Sequence, residues 1–261
     1  MKKFASVRPA VLYVVLCAVG VAAFVYPFWL PASALESQAH AGDAPLLAAV
    51  VGLLVVVVLA LEIQRDQMNG ATVALLGVLS ALGGMLRLLD LPGGGSGMFF
   101  LIVLAGAALG PRFGLLLGLC AMAVSAVITG GLGPWLPFQM LGLAWMGAGA
   151  GVLGLVVRRR RPLTQLLAIA AYGWVWGFLY GAILNLWFWP FSVGTGALQW
   201  NPSLGLTESI HHYWAFYVTT SLGWDGAGAL ANAILILAVG MPLLRALRRV
   251  SGRLDPVVNL V

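Results

Sequence analysis

The chain has 261 residues, of which 61% are hydrophobic and only 8% are charged, and its formal net charge at pH 7 is +6. A soluble domain carries about 25% charged residues, so this composition excludes an ordinary soluble enzyme and a disordered chain. It also excludes a nucleic-acid-binding protein, which needs many cations on one face, because the basic residues here form small clusters between long apolar runs. The chain is therefore predicted to be a membrane protein that crosses the bilayer several times.

Taken in chain order, the apolar runs predict an all-α protein with eight membrane-spanning helices. The first run follows Lys2, Lys3 and Arg8, but it is longer than the apolar core of a typical signal peptide, so we interpret it as a span, with a cleaved signal as the alternative. The predicted spans lie near residues 9–30, 46–64, 71–89, 98–110, 113–130, 138–157, 163–188 and 223–244.

The charges predict the orientation of these spans. With the N-terminus inside the cell, every basic residue except Arg87 falls on the cytoplasmic side, as the positive-inside rule requires. No odd number of spans gives this separation, so we expect eight spans with both termini cytoplasmic, in the cell (inner or plasma) membrane. Most of the acidic residues then fall outside, namely Glu36, Asp43, Asp90, Glu208 and Asp225.

Two of the predicted spans, residues 98–110 and 113–130, are short and are separated by Gly110, Pro111 and Arg112. Twelve or thirteen helical residues rise only about 20 Å, less than the roughly 30 Å of the hydrocarbon core. Short segments interrupted by Gly or Pro often mark the ligand site of a transporter. A tight helical hairpin shielded by its neighbours is the alternative, and the sequence leaves both open.

A polar cytoplasmic segment, residues 62–70, divides the chain into two units. Residues 1–68 contain two spans with few polar residues, and residues 69–261 contain six spans and most of the polar chemistry. The motif GxxxxGK[ST] is absent, so a separate subunit must bind the nucleotide if ATP drives the protein. Cys17 and Cys120 lie inside apolar runs without a CxxC pair, which argues against disulfide chemistry and a thiolate metal site.

Arg87 and Asp90 stand three residues apart at the outer end of the third span. A charge close to hydrocarbon is costly and is usually paired or functional. Either Arg87 pairs with Asp90 and extends to the interface, or its guanidinium presents donors to carbonyl, amide or phosphate groups of a ligand. Both residues are candidates for substrate binding.

Further candidates lie at or near the outer ends of the sixth and seventh spans. An amide inside a span needs a partner, which is a neighbouring helix or a ligand. A tryptophan at the interface usually belongs to the aromatic belt. The substrate-binding candidates here are Trp135, Gln139, Trp145, Asn185 and Trp187.

The longest connection, residues 189–222, is too long for a simple link. Within it, residues 207–221 are predicted to form a short amphipathic helix across the outer mouth. Adjacent histidines on a helix point about 100° apart and do not complete a metal site even with Glu208, so no metal is expected; a polar face and ligand contact remain as interpretations. The substrate-binding candidates in this helix are His211, His212, Tyr213 and Trp214.

Three stretches of the six-span unit carry a resemblance to a known family. They are Ala-Leu-Leu-Gly-Val-Leu-Ser-Ala-Leu-Gly-Gly-Met-Leu-Arg-Leu-Leu (74–89), Leu-Gly-Pro-Arg-Phe-Gly (109–114) and Gly-Gly-Leu-Gly-Pro-Trp-Leu-Pro-Phe-Gln-Met (130–140). The chain resembles the substrate-binding S components of energy-coupling factor (ECF) vitamin transporters. The third stretch, followed by residues 144–151, looks most like the S components for cobalamin or its precursors. The family has six helices, so residues 1–68 depart from it.

The resemblance implies a mechanism and partners. An S component binds a vitamin at its outer face, docks on a membrane coupling subunit driven by two ATPases, and topples to release the ligand inside. The family places a docking motif of small residues on the helix that corresponds to the third span. Ala74, Gly77, Ala81 and Gly84 form a small-residue stripe there, which serves either docking or internal packing.

The expected function is therefore the S component of an ECF-type importer for cobalamin or another corrinoid, without a cofactor of its own. An S component for a different vitamin or precursor, and a stand-alone membrane carrier or assembly factor, are the alternatives. An intramembrane enzyme is disfavoured because GxSxG, HExxH, CxxC and paired intramembrane carboxylates are all absent. ATP hydrolysis is expected only in partner subunits, and no nucleic-acid partner is expected.

Overall fold

The computed structural model of the chain describes residues 9–29, 42–64, 68–91, 95–192 and 196–253, without the side chains of residues 9, 10, 90, 91 and 95. Within these ranges the fold is helical, as predicted, apart from a two-residue antiparallel ladder between β1 (Asp90–Leu91) and β2 (Gly95–Ser96). The helices are α1 (Pro9–Val25), α2 (Ala44–Gln64), α3 (Gly70–Leu86), α4 (Met98–Leu109), α5 (Pro111–Thr129), α6 (Leu136–Val157), α7 (Pro162–Phe188), α8 (Leu206–Thr220) and α9 (Leu222–Arg253).

Six of the described helices, α1, α2, α5, α6, α7 and α9, are long and apolar enough to cross a membrane. The other two apolar helices are shorter, with 17 residues in α3 and 12 in α4. Helix α8 confirms the short helix predicted within the long connection of residues 189–222. Single residues define several helix boundaries: Asn69 caps α3 by accepting the Thr72 amide at 2.9 Å, and Pro111 and Pro162 stand at the first turns of α5 and α7.

Helix α4 is the central helix of the bundle. All residues from Leu101 to Ala107 are buried, and the helix touches α3, α5, α6, α7 and α9. Gly110 adopts a φ of 96°, which favours glycine and lets the chain reverse directly into α5. The short segment is therefore a tight hairpin shielded by its neighbours, and α4 does not need the length of a lipid-facing span.

The closest backbone approach lies between α5 and α6. At Gly114 and Gly147 each helix presents its carbonyl oxygen to the other's Cα, and a Cβ on either residue would penetrate the opposite backbone. Small residues allow such contact between helices in a membrane, where packing rather than water exclusion favours association. This seam aligns α6 beside α5.

The N-terminal helices pack against α6 and α7. Phe24 meets the Phe138 ring edge-on at 5.1 Å, and Gly20 lies under Trp145. At the opposite end of α1, the Tyr13 hydroxyl donates to Oε1 of Glu62 at 3.2 Å. The buried Glu62 carboxylate also lies 3.6 Å from Nη1 of Arg112 at the start of α5. Apolar residues of α1 and α2 thus share one hydrophobic cluster with the other helices.

Substituting Gly147 by alanine tests this seam. The added methyl would meet the Gly114 carbonyl, so we expect the protein to lose about 1–3 kcal/mol of stability, as overpacked cores do. Thermal unfolding of purified protein in detergent measures the loss. Gly52→Ala is the matched control, because nothing lies within 4 Å of a Cβ at that position in α2. Equal stability of the two variants would contradict the described contact.

Candidate ligand-binding site

Arg87 directly follows α3 and is half-buried. Its Nη1 donates to the sulfur of Met122 on α5 at 2.8 Å, and a thioether is only a weak acceptor. Among the described side chains, no carboxylate lies within ion-pair distance of this guanidinium. The backbone of Asp90 pairs with Ser96, but its side chain lies outside the described residues, so a pair with Arg87 stays a prediction.

Tyr180 on α7 lies close to this cation and was missed by the sequence analysis. Its ring packs edge-on against Phe99 of α4 at 4.8 Å and covers Gly142 of α6. Arg87 interacts electrostatically with the phenol group. The Tyr180 side chain is half-buried, and its hydroxyl makes no hydrogen bond to another described residue. The sequence offers only a weak indication of this residue: it is a tyrosine in the same apolar span as Asn185, five residues earlier.

Gln139 lies in the first turn of α6, three residues before Gly142, so it points to the same side of the helix. Its Oε1 is buried and has no hydrogen-bond partner in the described structure. Leaving a polar atom unpaired in an apolar environment is costly. Four residues, here called the outer cluster, therefore present a cation directly after α3, an aromatic ring on α4, an amide acceptor on α6 and a phenol on α7: Arg87, Phe99, Gln139 and Tyr180.

The other candidates on α6 and α7 mostly serve packing. The Trp135 indole donates to the Gly131 carbonyl at 3.2 Å, one turn earlier in the chain. Trp145 faces α1 rather than the outer cluster. The Asn185 amide donates to the Ser221 hydroxyl at 2.7 Å and so ties α7 to the start of α9. Trp187 stacks at a tilt on Phe138, with ring centroids 5.9 Å apart.

Helix α8 holds its candidates in different environments. The Tyr213 hydroxyl donates to the Ala182 carbonyl of α7, and burial, together with the Asp225 carboxylate, raises the pKa of this phenol above its usual range. Nδ1 of His212 lies 2.9 Å from the Gln199 carbonyl, so Nδ1 carries the proton. His211 and Trp214 are exposed. Among the described residues, no group of three potential ligands forms a metal site.

A cleft of about 410 Å³ opens beside α8. The Trp189 indole in its wall already donates to the Leu198 carbonyl at 3.0 Å, and the Tyr213 hydroxyl is bonded as above. The wall therefore offers mainly apolar and aromatic surface. Phe28 and Trp29, in the turn that follows α1, also line this cleft. The N-terminal unit therefore forms part of the cleft wall.

The small-residue stripe of α3 divides between two environments. Ala74, Gly77 and Ala81 are exposed, and a Cβ at Gly77 would meet nothing within 4 Å. Gly84 instead faces inward, where a Cβ would lie 3.1 Å from the backbone nitrogen of Ser125. Three of the four candidates therefore share one open surface, and Gly84 belongs to the packing between α3 and α5.

A family model described as the ECF transporter substrate-specific component matches residues 71–240. The chain belongs to this family. Searches of curated proteins and of solved structures each found no match. Members are substrate-binding components of membrane transporters, which implies a small-molecule substrate and the partner subunits of an ECF module. The matched residues begin at α3, so α1 and α2 precede the family region.

The side-chain amides of Gln139 and Asn232 have different hydrogen-bond partners, and comparing their substitutions tests whether Gln139 has a structural role. Gln139→Met removes an unpaired buried oxygen, so we expect stability to change by no more than about 0.5 kcal/mol. Asn232→Leu removes the donor that reaches the Gly173 carbonyl at 2.9 Å, and we expect a loss of about 1–3 kcal/mol. Thermal unfolding in detergent compares them. A larger loss for Gln139→Met than for Asn232→Leu would show that Gln139 has a structural role instead.

Proposed function

We propose that this protein is the S component of an ECF importer and that it binds cobalamin or another corrinoid at its outer end. Membership of the family supports the binding role, and the likeness of residues 130–140 to cobalamin-type S components supports the substrate. The observation that carries the location is the outer cluster, where Arg87, Gln139 and Tyr180 all lack a strong partner.

The chemistry of a corrinoid fits these groups. Its rim carries amide side chains and its nucleotide loop carries a phosphate. Arg87 offers donors to a carbonyl or phosphate oxygen, and Gln139 Oε1 accepts from an amide N–H. The Tyr180 hydroxyl does either, while Phe99 supplies an apolar wall. The aromatic cleft beside α8 extends the surface available to a large amphipathic ligand.

We also propose eight spans, with both termini cytoplasmic, in the cell membrane. Two hydrogen bonds support an antiparallel α1 and α2, which this arrangement requires: Tyr13 donates to Glu62 where α1 begins and α2 ends, and Tyr26 donates to Asp43 at 2.5 Å between the opposite ends. Residues 1–68 then form an accessory two-helix unit, and residues 69–261 form the substrate-binding unit.

In the proposed cycle, the ligand binds at the outer cluster while the exposed face of α3 docks on the coupling subunit. Ala74, Gly77 and Ala81 let a partner helix approach closely. The two ATPase subunits supply the energy, and this chain supplies recognition. Rapid uptake therefore requires the complete module.

Arg87→Gln tests the location of the ligand. Loss of one charged donor costs about 1.5–3 kcal/mol, so we expect the Kd for cyanocobalamin to rise at least about tenfold. Calorimetric titration of the purified full-length protein measures it. Arg159→Gln, which removes an exposed charge from the opposite end, should leave the Kd unchanged. Tight binding by both variants would place the ligand elsewhere, and no binding by the unmodified protein would reject cobalamin.

Gly77→Leu tests the docking face. Because a side chain there meets nothing within 4 Å, we expect normal folding and normal vitamin binding, but uptake reduced about tenfold or more in cells that express the ECF module, since a bulky residue separates the helices. Gly52→Leu is the matched control, with equal free space on α2. Unchanged uptake with Gly77→Leu would contradict docking through this face.

A further inference from the structure

Arginine residues gather at the inner end of α6, α7 and α9. Gln165 organises this corner: its amide donates to the backbone carbonyls of Arg158 at 3.2 Å and Arg160 at 2.7 Å, and its Oε1 accepts from Nη1 of Arg248 at 2.8 Å. Gln165 itself is buried, with 6% of its surface exposed. The loop between α6 and α7 and the end of α9 are therefore joined through one side chain.

The second guanidinium nitrogen of Arg248 has no partner. Nη2 is buried, and no described residue accepts a hydrogen bond from it. A charged donor left without an acceptor is costly, so the arrangement is incomplete as it stands. Arg245 and Arg249, four residues apart on α9, are exposed on one face beside it. No acidic side chain pairs with these three arginines in the part of the chain that the structure describes.

The length of α9 places these groups at the lipid headgroups. Its 32 residues rise about 48 Å, whereas the hydrocarbon core is about 30 Å thick. A helix that enters the core near Leu222 therefore leaves it a little before Arg245. The positive-inside rule explains why arginines occur here, but it does not explain a half-buried guanidinium that Gln165 holds in place and whose Nη2 has no acceptor among the described residues.

We propose that Arg248, together with Arg245 and Arg249, forms a binding site for the phosphate headgroup of an anionic phospholipid in the inner leaflet. Guanidinium groups bind phosphate through paired hydrogen bonds, and basic pockets between membrane helices on the cytoplasmic side bind such headgroups. Because Nη2 is covered in the structure, the half-buried Arg248 side chain must turn this nitrogen toward the headgroup before the phosphate supplies the acceptor that it lacks. The inference rests on the proposed orientation but not on the identity of the vitamin.

Native mass spectrometry of the full-length protein tests the site, with phosphatidylglycerol and phosphatidylcholine of identical acyl chains as probes. We expect retention of phosphatidylglycerol and little phosphatidylcholine. Arg248→Gln should reduce phosphatidylglycerol retention about fivefold or more, since it removes a charged bond to phosphate. Arg159→Gln is the charge-matched control from the adjacent loop and should change retention less than about twofold, because an exposed charge alone contributes little.

Equal losses in the two variants would show a diffuse attraction and overturn the proposal, as would equal retention of both lipids. If Arg248→Gln fails to fold, Arg248→Lys decides the question. It keeps the charge but loses the planar fork, so we expect retention to fall about threefold, and retention equal to that of the unmodified protein would overturn the site. None of these readouts involves the vitamin, so this proposal can fail while the proposed function stands.

Discussion

The backbone contact between α5 and α6 determines where the candidate site can form. Gly114 and Gly147 bring these helices together without intervening side chains, and α4 fills the space behind them with almost no exposed surface. Tyr180 of α7 packs on Phe99 of α4 and covers Gly142 of α6, so these three helices meet near the residue that follows α3, Arg87. This packing brings the Arg87 cation close to the Tyr180 phenol, and Gln139 lies one turn before Gly142 on α6.

In the low dielectric of the bilayer, each polar side chain within this bundle needs a hydrogen-bond partner. Asn185 and Asn232 donate across helix pairs, and their hydrogen bonds hold α7 to α9. Gln139 and Arg87 lack comparable partners. An unpaired polar group in this environment is costly, and this cost is the reason that we propose Gln139 and Arg87 as ligand-binding residues. The same cost applies to Nη2 of Arg248 near the C-terminal end of α9.

Residue type and spacing predict the all-α fold class, the short helix α8 and the boundaries of most long helices. They do so because the length of an apolar run and its Gly or Pro breaks are local properties. They do not predict which face of a helix points inward. Spans are apolar on every side, so no amphipathic pattern distinguishes lipid from protein. Gly77 and Gly84 look alike in sequence, yet one is exposed and the other packs on α5. For the same reason Trp145 was expected near a ligand, and Tyr180 was overlooked.

The most direct test of the account is the absorption spectrum of the full-length protein, purified in mild detergent from cells supplied with cobalamin, together with the mass of any ligand extracted from it. We expect a corrinoid spectrum in stoichiometric amount and a matching mass. A colourless, ligand-free protein that also fails to bind added cobalamin would contradict the corrinoid assignment. A different copurified mass would identify another substrate for the same binding component.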